Sequence, residues 1–509
     1  MVILKKYKFH LLFLTCLLLL IFLTYKDYGI VWDERYYLDT GKYYVTRLFG
    51  LLNIKTNLVT GNFYPSKVHL TSHGVLFDIA SVFLTLFFKK FTLETYHLIK
   101  ALMAMPIFIL IGLIIYQLTN EWISLGTMML LLLFPRFYGD MFQNSVDIPT
   151  TLSLSLLVGY FIYYLRSKKK LIQQVGLGLI SAIVVSQRII LGYIFILNFL
   201  TIFLIGLYKK RSIATFFGEA LTISGFFVLF LHLTHPYLFS HPLKGLFDML
   251  STSKSFPFAA AALFEGSLVW AYQLPWYYLP KLILVTTPLI TILLFIAGFF
   301  YLIYLFLTEK KDVIKKFSYL YLLLIFVIPI VVVIWFKPIL YDSWRHFLFL
   351  SAPIVLIAAF GLLLIMNIKK KLIKTLLFIA VGVNLLFTVK EMIILHPYQY
   401  IYYNFLVGGL KGAYNRYETD YWGAGYKEAI TWFNKNINKG DRVYRIISEG
   451  DPLSSSYYFK KNMILTNNPY GADYFISFTR WWVQDKYSGK IVHKVERESV
   501  PLIFIKKLN

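Results

Sequence analysis

Along the first 395 positions, long unbroken apolar runs alternate with short polar or basic connections. A run of about 20 apolar residues crosses a bilayer as a helix, because its backbone polar groups can then pair within the segment. Eleven spans are predicted on this basis, at 9–25, 97–118, 122–135, 150–165, 171–186, 189–207, 213–231, 281–307, 318–336, 346–366 and 375–395. After residue 396 the pattern changes. Tyr426, Ala429, Ile430, Phe433 and Ile437 recur at helical spacing, which predicts an amphipathic helix over 425–437. Short β-type runs follow at Arg442–Ile447, Tyr474–Phe478, Lys490–Val495 and Leu502–Ile505, punctuated by Asn438-Lys439-Gly440 and Asn467-Asn468-Pro469. The expected architecture is an α-helical polytopic membrane domain over 1–395 and a small α/β domain over 396–509.

Composition agrees with the pattern. Apolar residues are 58% of the 509 and charged ones 15%, against about 25% charged in an ordinary soluble protein. A water-soluble enzyme, a disordered chain and a disulfide-framed secreted module are all excluded. The net charge of +25 comes from 51 Lys and Arg against 26 Asp and Glu. The excess falls in clusters between spans, which marks cytoplasmic loops rather than a nucleic-acid surface. Cys16, the single cysteine, lies in the first run, and no small-residue cleavage site accompanies that run. It reads as an uncleaved span.

The clusters also set the orientation. Lys5/Lys6/Lys8, Arg166/Lys168/Lys169/Lys170, Lys209/Lys210/Arg211, Lys310/Lys311/Lys315/Lys316 and Lys369/Lys370/Lys371/Lys374 share one side only if residues 26–96 lie wholly on the other. The apolar run Val75–Phe88, ending at Lys89-Lys90, is therefore read as an interfacial helix and not a span. The N-terminus is then cytoplasmic, and residues 26–96, 232–280 and everything after 396 are extracytoplasmic.

Chemistry concentrates at that outer rim. No P-loop, dinucleotide fingerprint, HExxH or paired CxxC occurs, and few charges lie deep in the spans, Glu219 being the deepest. One rim site is Tyr28-Gly29-Ile30-Val31-Trp32-Asp33-Glu34-Arg35-Tyr36-Tyr37. The other runs from Phe134-Pro135-Arg136-Phe137-Tyr138-Gly139-Asp140 to Asn144-Ser145-Val146-Asp147-Ile148-Pro149. Taken singly, Asp33-Glu34 reads as a solvated acidic loop and Asp147 as a helix N-terminus, with Pro149 in its first turn.

Taken together, an acidic pair after the first span and a Pro-Arg-Phe…Asp-Ile-Pro second loop resemble the GT-C glycosyltransferases of family 39. These include protein O-mannosyltransferases and the bacterial lipid A aminoarabinose transferase. Ser72-His73-Gly74-Val75-Leu76-Phe77, Leu274-Pro275-Trp276-Tyr277-Tyr278-Leu279-Pro280 and Tyr341-Asp342-Ser343-Trp344-Arg345-His346-Phe347-Leu348-Phe349 fall where relatives carry related segments, and the resemblance covers residues 9–395. His73 stands where relatives have lysine. The tail, with His396-Pro397-Tyr398-Gln399-Tyr400 and Asp420-Tyr421-Trp422-Gly423, is similar to bacterial members of unassigned acceptor.

The resemblance implies an inverting transferase that moves a sugar from a polyprenyl-phosphate donor to a hydroxyl of a glycan, lipid or protein acceptor. Asp33 is the expected base, with Asp147 and Glu34 beside it. Arg345, Arg136, Arg188 and His73 are the expected partners of the donor phosphate, because a guanidinium fork matches a phosphate. For each arginine alone, an interfacial snorkelling role competes. No cofactor is required on this reading; Asp33, Glu34 and Asp147 could instead gather a divalent cation. Two other functions compete: a transporter or flippase of a lipid-linked saccharide, which calls for deep charges and a central polar path, and an inactive scaffold whose tail binds glycan.

Overall fold

The computed structural model describes residues 7–54, 58, 63–88, 92–258, 260–440 and 442–508; Lys5, Lys6 and Lys89-Lys90 lie outside them. Among the described residues, eight helices are long and apolar enough to cross a membrane. They are Leu93–Leu118, Asp147–Arg166, Ile189–Tyr208, Ile213–Thr234, Leu289–Thr308, Val313–Phe336, Arg345–Met366 and Lys371–Leu395. The other three expected spans are helical as well. Lys8–Thr24 and Leu171–Gln187 are shorter apolar helices, and Glu121–Leu132 continues into Pro135–Gln143 through a 67° bend. The chain is a multi-pass membrane protein.

Prolines explain where the helices depart from the expected runs. Proline lacks an N–H and forces the preceding residue out of the helical region. The span expected at 281–307 is thus two helices, Tyr278–Thr286 and Leu289–Thr308, with Thr287 extended before Pro288. Pro135 likewise opens the second arm of the bent pair. The expected interfacial segment 75–88 holds a ten-residue helix, Leu76–Thr85. At about 1.5 Å per residue it is too short to cross a bilayer.

Arg345–Met366 is the central span, 83% buried, whereas Lys371–Leu395 lies at the outside, 11% buried. In lipid, close helix contact depends on small residues. Here Gly298 and Gly361 face each other, and a Cβ on Gly298 would sit 2.8 Å from the Gly361 nitrogen.

The tail carries a five-stranded mixed sheet. Its strands are β3 (Tyr444–Ser448), β4 (Met463–Leu465), β5 (Tyr474–Phe478), β6 (Lys490–Arg497) and β7 (Val500–Lys507), in the order β4-β3-β5-β7-β6. The helix Tyr426–Asn436 packs Ala429, Ile430 and Phe433 into the core beside it. The intervening residues differ from the expected division at 396. Tyr400, Ile401, Tyr403, Tyr421 and Trp422 are buried among the helix ends, and Asn404 donates to the Leu284 and Thr287 carbonyls at 2.7 Å. A Cβ on Gly139 would lie 2.7 Å from the Tyr400 nitrogen, so the bent pair needs glycine there. A hairpin of β1 (Ala261–Phe264) and β2 (Ser267–Trp270) turns through Glu265-Gly266, both with positive φ. It meets the tail through Trp481, whose indole N–H donates to the Ala261 carbonyl at 2.6 Å.

Candidate active site

Asp33 occupies the position before the helix Glu34–Leu51, yet its side chain makes no capping bond. Its carboxylate instead meets Arg345, with Nη1 to Oδ2 at 2.7 Å, and keeps a third of its surface exposed. Asp147 opens the helix Asp147–Arg166 as expected, but capping falls to Asn144. The Asn144 side-chain oxygen accepts from the Val146 and Asp147 N–H groups at 3.1 and 2.8 Å. Its amide donates to Asp147 Oδ2 at 2.9 Å. The other oxygen of Asp147 pairs with Arg188, which follows the helix Leu171–Gln187. Two acid–guanidinium pairs are thus assembled from helix ends far apart in sequence.

Both pairs line one cavity of about 130 Å³. Tyr37, His69, His73, Tyr341, His346 and Trp422 complete its polar and aromatic wall. The cationic group of Arg345 also stacks on Tyr341 and Trp422, 5.4 and 5.1 Å from the ring centres. Burial, with His69, Arg188 and Arg345 nearby, holds His73 well below the usual imidazole value, so it is neutral at pH 7. Its Nδ1 lies 2.8 Å from the Ser72 hydroxyl. Burial and the Asp33 charge push the Tyr37 phenol well up, so it stays protonated.

Two expected site residues have further partners, Glu34 while lining the cavity and Arg136 away from it. The Glu34 carboxylate is fully buried, accepting from Lys100 Nζ at 2.7 Å and meeting His97 Nε2 at 2.9 Å. Burial pushes that carboxyl up, but His97 and Lys100 more than offset it and leave it below its ordinary value. It anchors the first loop to the helix Leu93–Leu118, and Lys100 also donates to the Gln143 carbonyl at 2.9 Å. Arg136 is buried and stacks on Tyr403 at 5.3 Å, and the residues around the cavity do not include it. Among the described residues, no three His, Cys, Asp or Glu side chains form a metal-binding group.

The opposite helix ends hold the basic clusters. There Lys169 and Arg211 pair with Glu219 at 2.9 and 3.3 Å, which accounts for the deepest acid in the spans.

Arg480 is a neighbour that sequence reasoning missed, because it lies in the tail beyond the reach of any motif. It contacts Asp342, which in turn meets Arg345 Nη2 at 2.9 Å.

The architecture is that of the GT-C fold, with a charged cavity at one end of a helical membrane domain. The oligosaccharyltransferase of Archaeoglobus fulgidus aligns over 92% of this chain with a TM-score of 0.52 and 13% identity. This chain spans 65% of that protein's length. ArnT of Cupriavidus metallidurans aligns over 98% of both chains with a TM-score of 0.51 and 10% identity. No protein-family model and no curated protein matches the sequence.

Proposed function

We propose that the chain is an inverting glycosyltransferase that takes a sugar from a polyprenyl-phosphate donor on the extracytoplasmic face. The observation that carries the reading is the pair of acid–guanidinium contacts, Asp33–Arg345 and Asp147–Arg188, in one cavity at the helix ends. The Archaeoglobus fulgidus protein, whose fold this chain shares, is an oligosaccharyltransferase by name. A flippase needs a polar path through the bilayer, whereas here the one deep acid is paired with Lys169 and Arg211 at the far end.

Asp33, the more accessible of the two acids, takes the proton from the acceptor hydroxyl. The acceptor oxygen attacks the anomeric carbon from the face opposite the phosphate. The bond from that carbon to the phosphate oxygen breaks, its electron pair leaves with the lipid phosphate, and the sugar configuration inverts. Arg345 and Arg188 meet the growing negative charge with planar N–H forks. Asp147 holds Arg188 and orients the acceptor side. Neutral His73 and the protonated phenols of Tyr37 and Tyr341 offer uncharged hydrogen bonds to the donor. Glu34 holds the loop that carries Asp33 and takes no part in proton transfer.

A thermal-shift comparison in detergent tests the donor half of this reading. Polyprenyl phosphate should raise the melting temperature of the purified protein, polyprenol should not, and Arg188→Gln should abolish the rise. Equal stabilisation by the alcohol and the phosphate would remove the case for a phosphate site.

A further inference from the structure

We infer that Arg480, supplied by the sheet-bearing tail, is a positioning residue for Arg345, so that the tail is part of the catalytic unit. The inference rests on the functional reading above and extends it to a part of the chain outside the cavity.

The loop before the central span holds an unusual backbone. Asp342 and Ser343 both adopt left-handed backbone, φ +56° and +61°, although neither is glycine. Such residues persist only where their surroundings over-determine them. Three groups do so here. The Ser343 N–H donates to Glu418 Oε2 at 3.1 Å, and the Ser343 carbonyl accepts from the Tyr278 hydroxyl at 3.3 Å. Arg480 grips Asp342 from the other side.

The result is a continuous row of alternating charge. Asp33 meets Arg345 at 2.7 Å, Arg345 meets Asp342 at 2.9 Å, Asp342 meets Arg480, and Arg480 Nε stands 3.8 Å from Glu418. Asp342, Arg480 and Glu418 are all buried, so solvent cannot substitute for a missing partner. Arg480 is itself fixed: its Nη1 donates to the Tyr421 carbonyl at 3.2 Å, and it lies 4.2 Å from the Trp481 ring centre. Arg480 meets one oxygen of Asp342 and Arg345 the other. Without Arg480, Asp342 draws the Arg345 guanidinium away from Asp33, and the cavity loses the geometry of its first pair.

The test is a cryo-electron microscopy structure of Arg480→Gln, with Arg480→Lys and the double variant Glu418→Gln/Arg480→Gln beside it. The double variant leaves no stranded carboxylate at Glu418 and guards against loss of folding. In Arg480→Gln and in the double variant, Arg345 should leave hydrogen-bond distance of Asp33. In Arg480→Lys it should return. Transfer from a polyprenyl-phosphate sugar should fall about 10- to 100-fold in the first two, the scale of a small misplacement of a catalytic group, and recover substantially in the third. Arg345 still bonded to Asp33 in either glutamine variant would overturn the inference, and so would a folded Arg480→Lys without recovery of that contact. If the wild-type protein transfers no sugar, the functional reading fails while the structural comparison still decides this one.

Discussion

At the scale of single residues, function depends on which carboxylates are used up by local structure. Asp33 and Asp147 both stand at helix starts, where acids ordinarily cap. Asn144 takes over that duty for Asp147, and Asp33 makes no capping bond, so both are available to arginines. These two acids and Arg188, Arg345 and His73 were expected from the family resemblance and from a topology that puts the arginines at span ends, and the fold gathers all five around one cavity. What was not legible is that Glu34 is tied to His97 and Lys100, 63 and 66 positions away in a segment read as a span. Glu34→Gln should therefore act on folding. Breaking a buried pair on one side costs about 3–5 kcal/mol, so the variant should melt markedly lower in detergent. Removing the stranded ammonium as well, in Glu34→Gln/Lys100→Met, should recover much of the loss. A Glu34→Gln protein that melts normally yet fails to turn over would return Glu34 to the chemistry.

At the scale of elements, apolar runs located the long helices of the membrane domain but not the more polar helices of its loops, such as Glu34–Leu51 and Pro242–Lys254. Pro288 splits one predicted run and Pro135 bends the chain at the end of another, because hydropathy does not register a missing N–H. In the tail, the three-residue β4 was too short to show a period, whereas β5 appeared where a β-type run set off by turn residues placed it. The segment 399–425 was assigned to the tail by composition, but its tyrosines fill the space between helix ends. That packing buries Glu418, whose carboxyl is pushed up to about 7 by burial and by Asp342, with Arg480 opposing. An acid whose folded value exceeds its unfolded value of about 4.3 binds more protons in the native state. Its contribution is then full below pH 4 and is lost as pH rises through about 7. The melting temperature of wild type relative to Glu418→Gln should accordingly fall between pH 5 and 8. A constant difference across that range would place the titration elsewhere.

At the scale of the whole molecule, one end of the helical domain is basic and the other carries the cavity. Arg166 ends the helix that Asp147 begins, so the two chemistries are a full span apart. On the proposed topology, taken from the distribution of positive charge, the cavity and the tail face outward. Tyr470 is fully exposed on the tail, and Cys16, the single native cysteine, sits on the first apolar helix. In intact cells, Tyr470→Cys in a Cys16→Ser background should react with an impermeant maleimide without permeabilisation. Protection until the membrane is opened would invert the topology and move the cavity to the cytoplasm.

The claim that joins these scales is that Asp33 removes the acceptor proton, and turnover by Asp33→Asn tests it most directly. Asparagine keeps the size and can still hydrogen-bond, but it cannot accept the proton. Purified Asp33→Asn, given a synthetic polyprenyl-phosphate sugar and acceptor, should bind polyprenyl phosphate and melt as a folded protein. Its transfer rate should fall by the equivalent of about 3–5 kcal/mol of transition-state stabilisation. Transfer by Asp33→Asn at close to the wild-type rate would contradict the account.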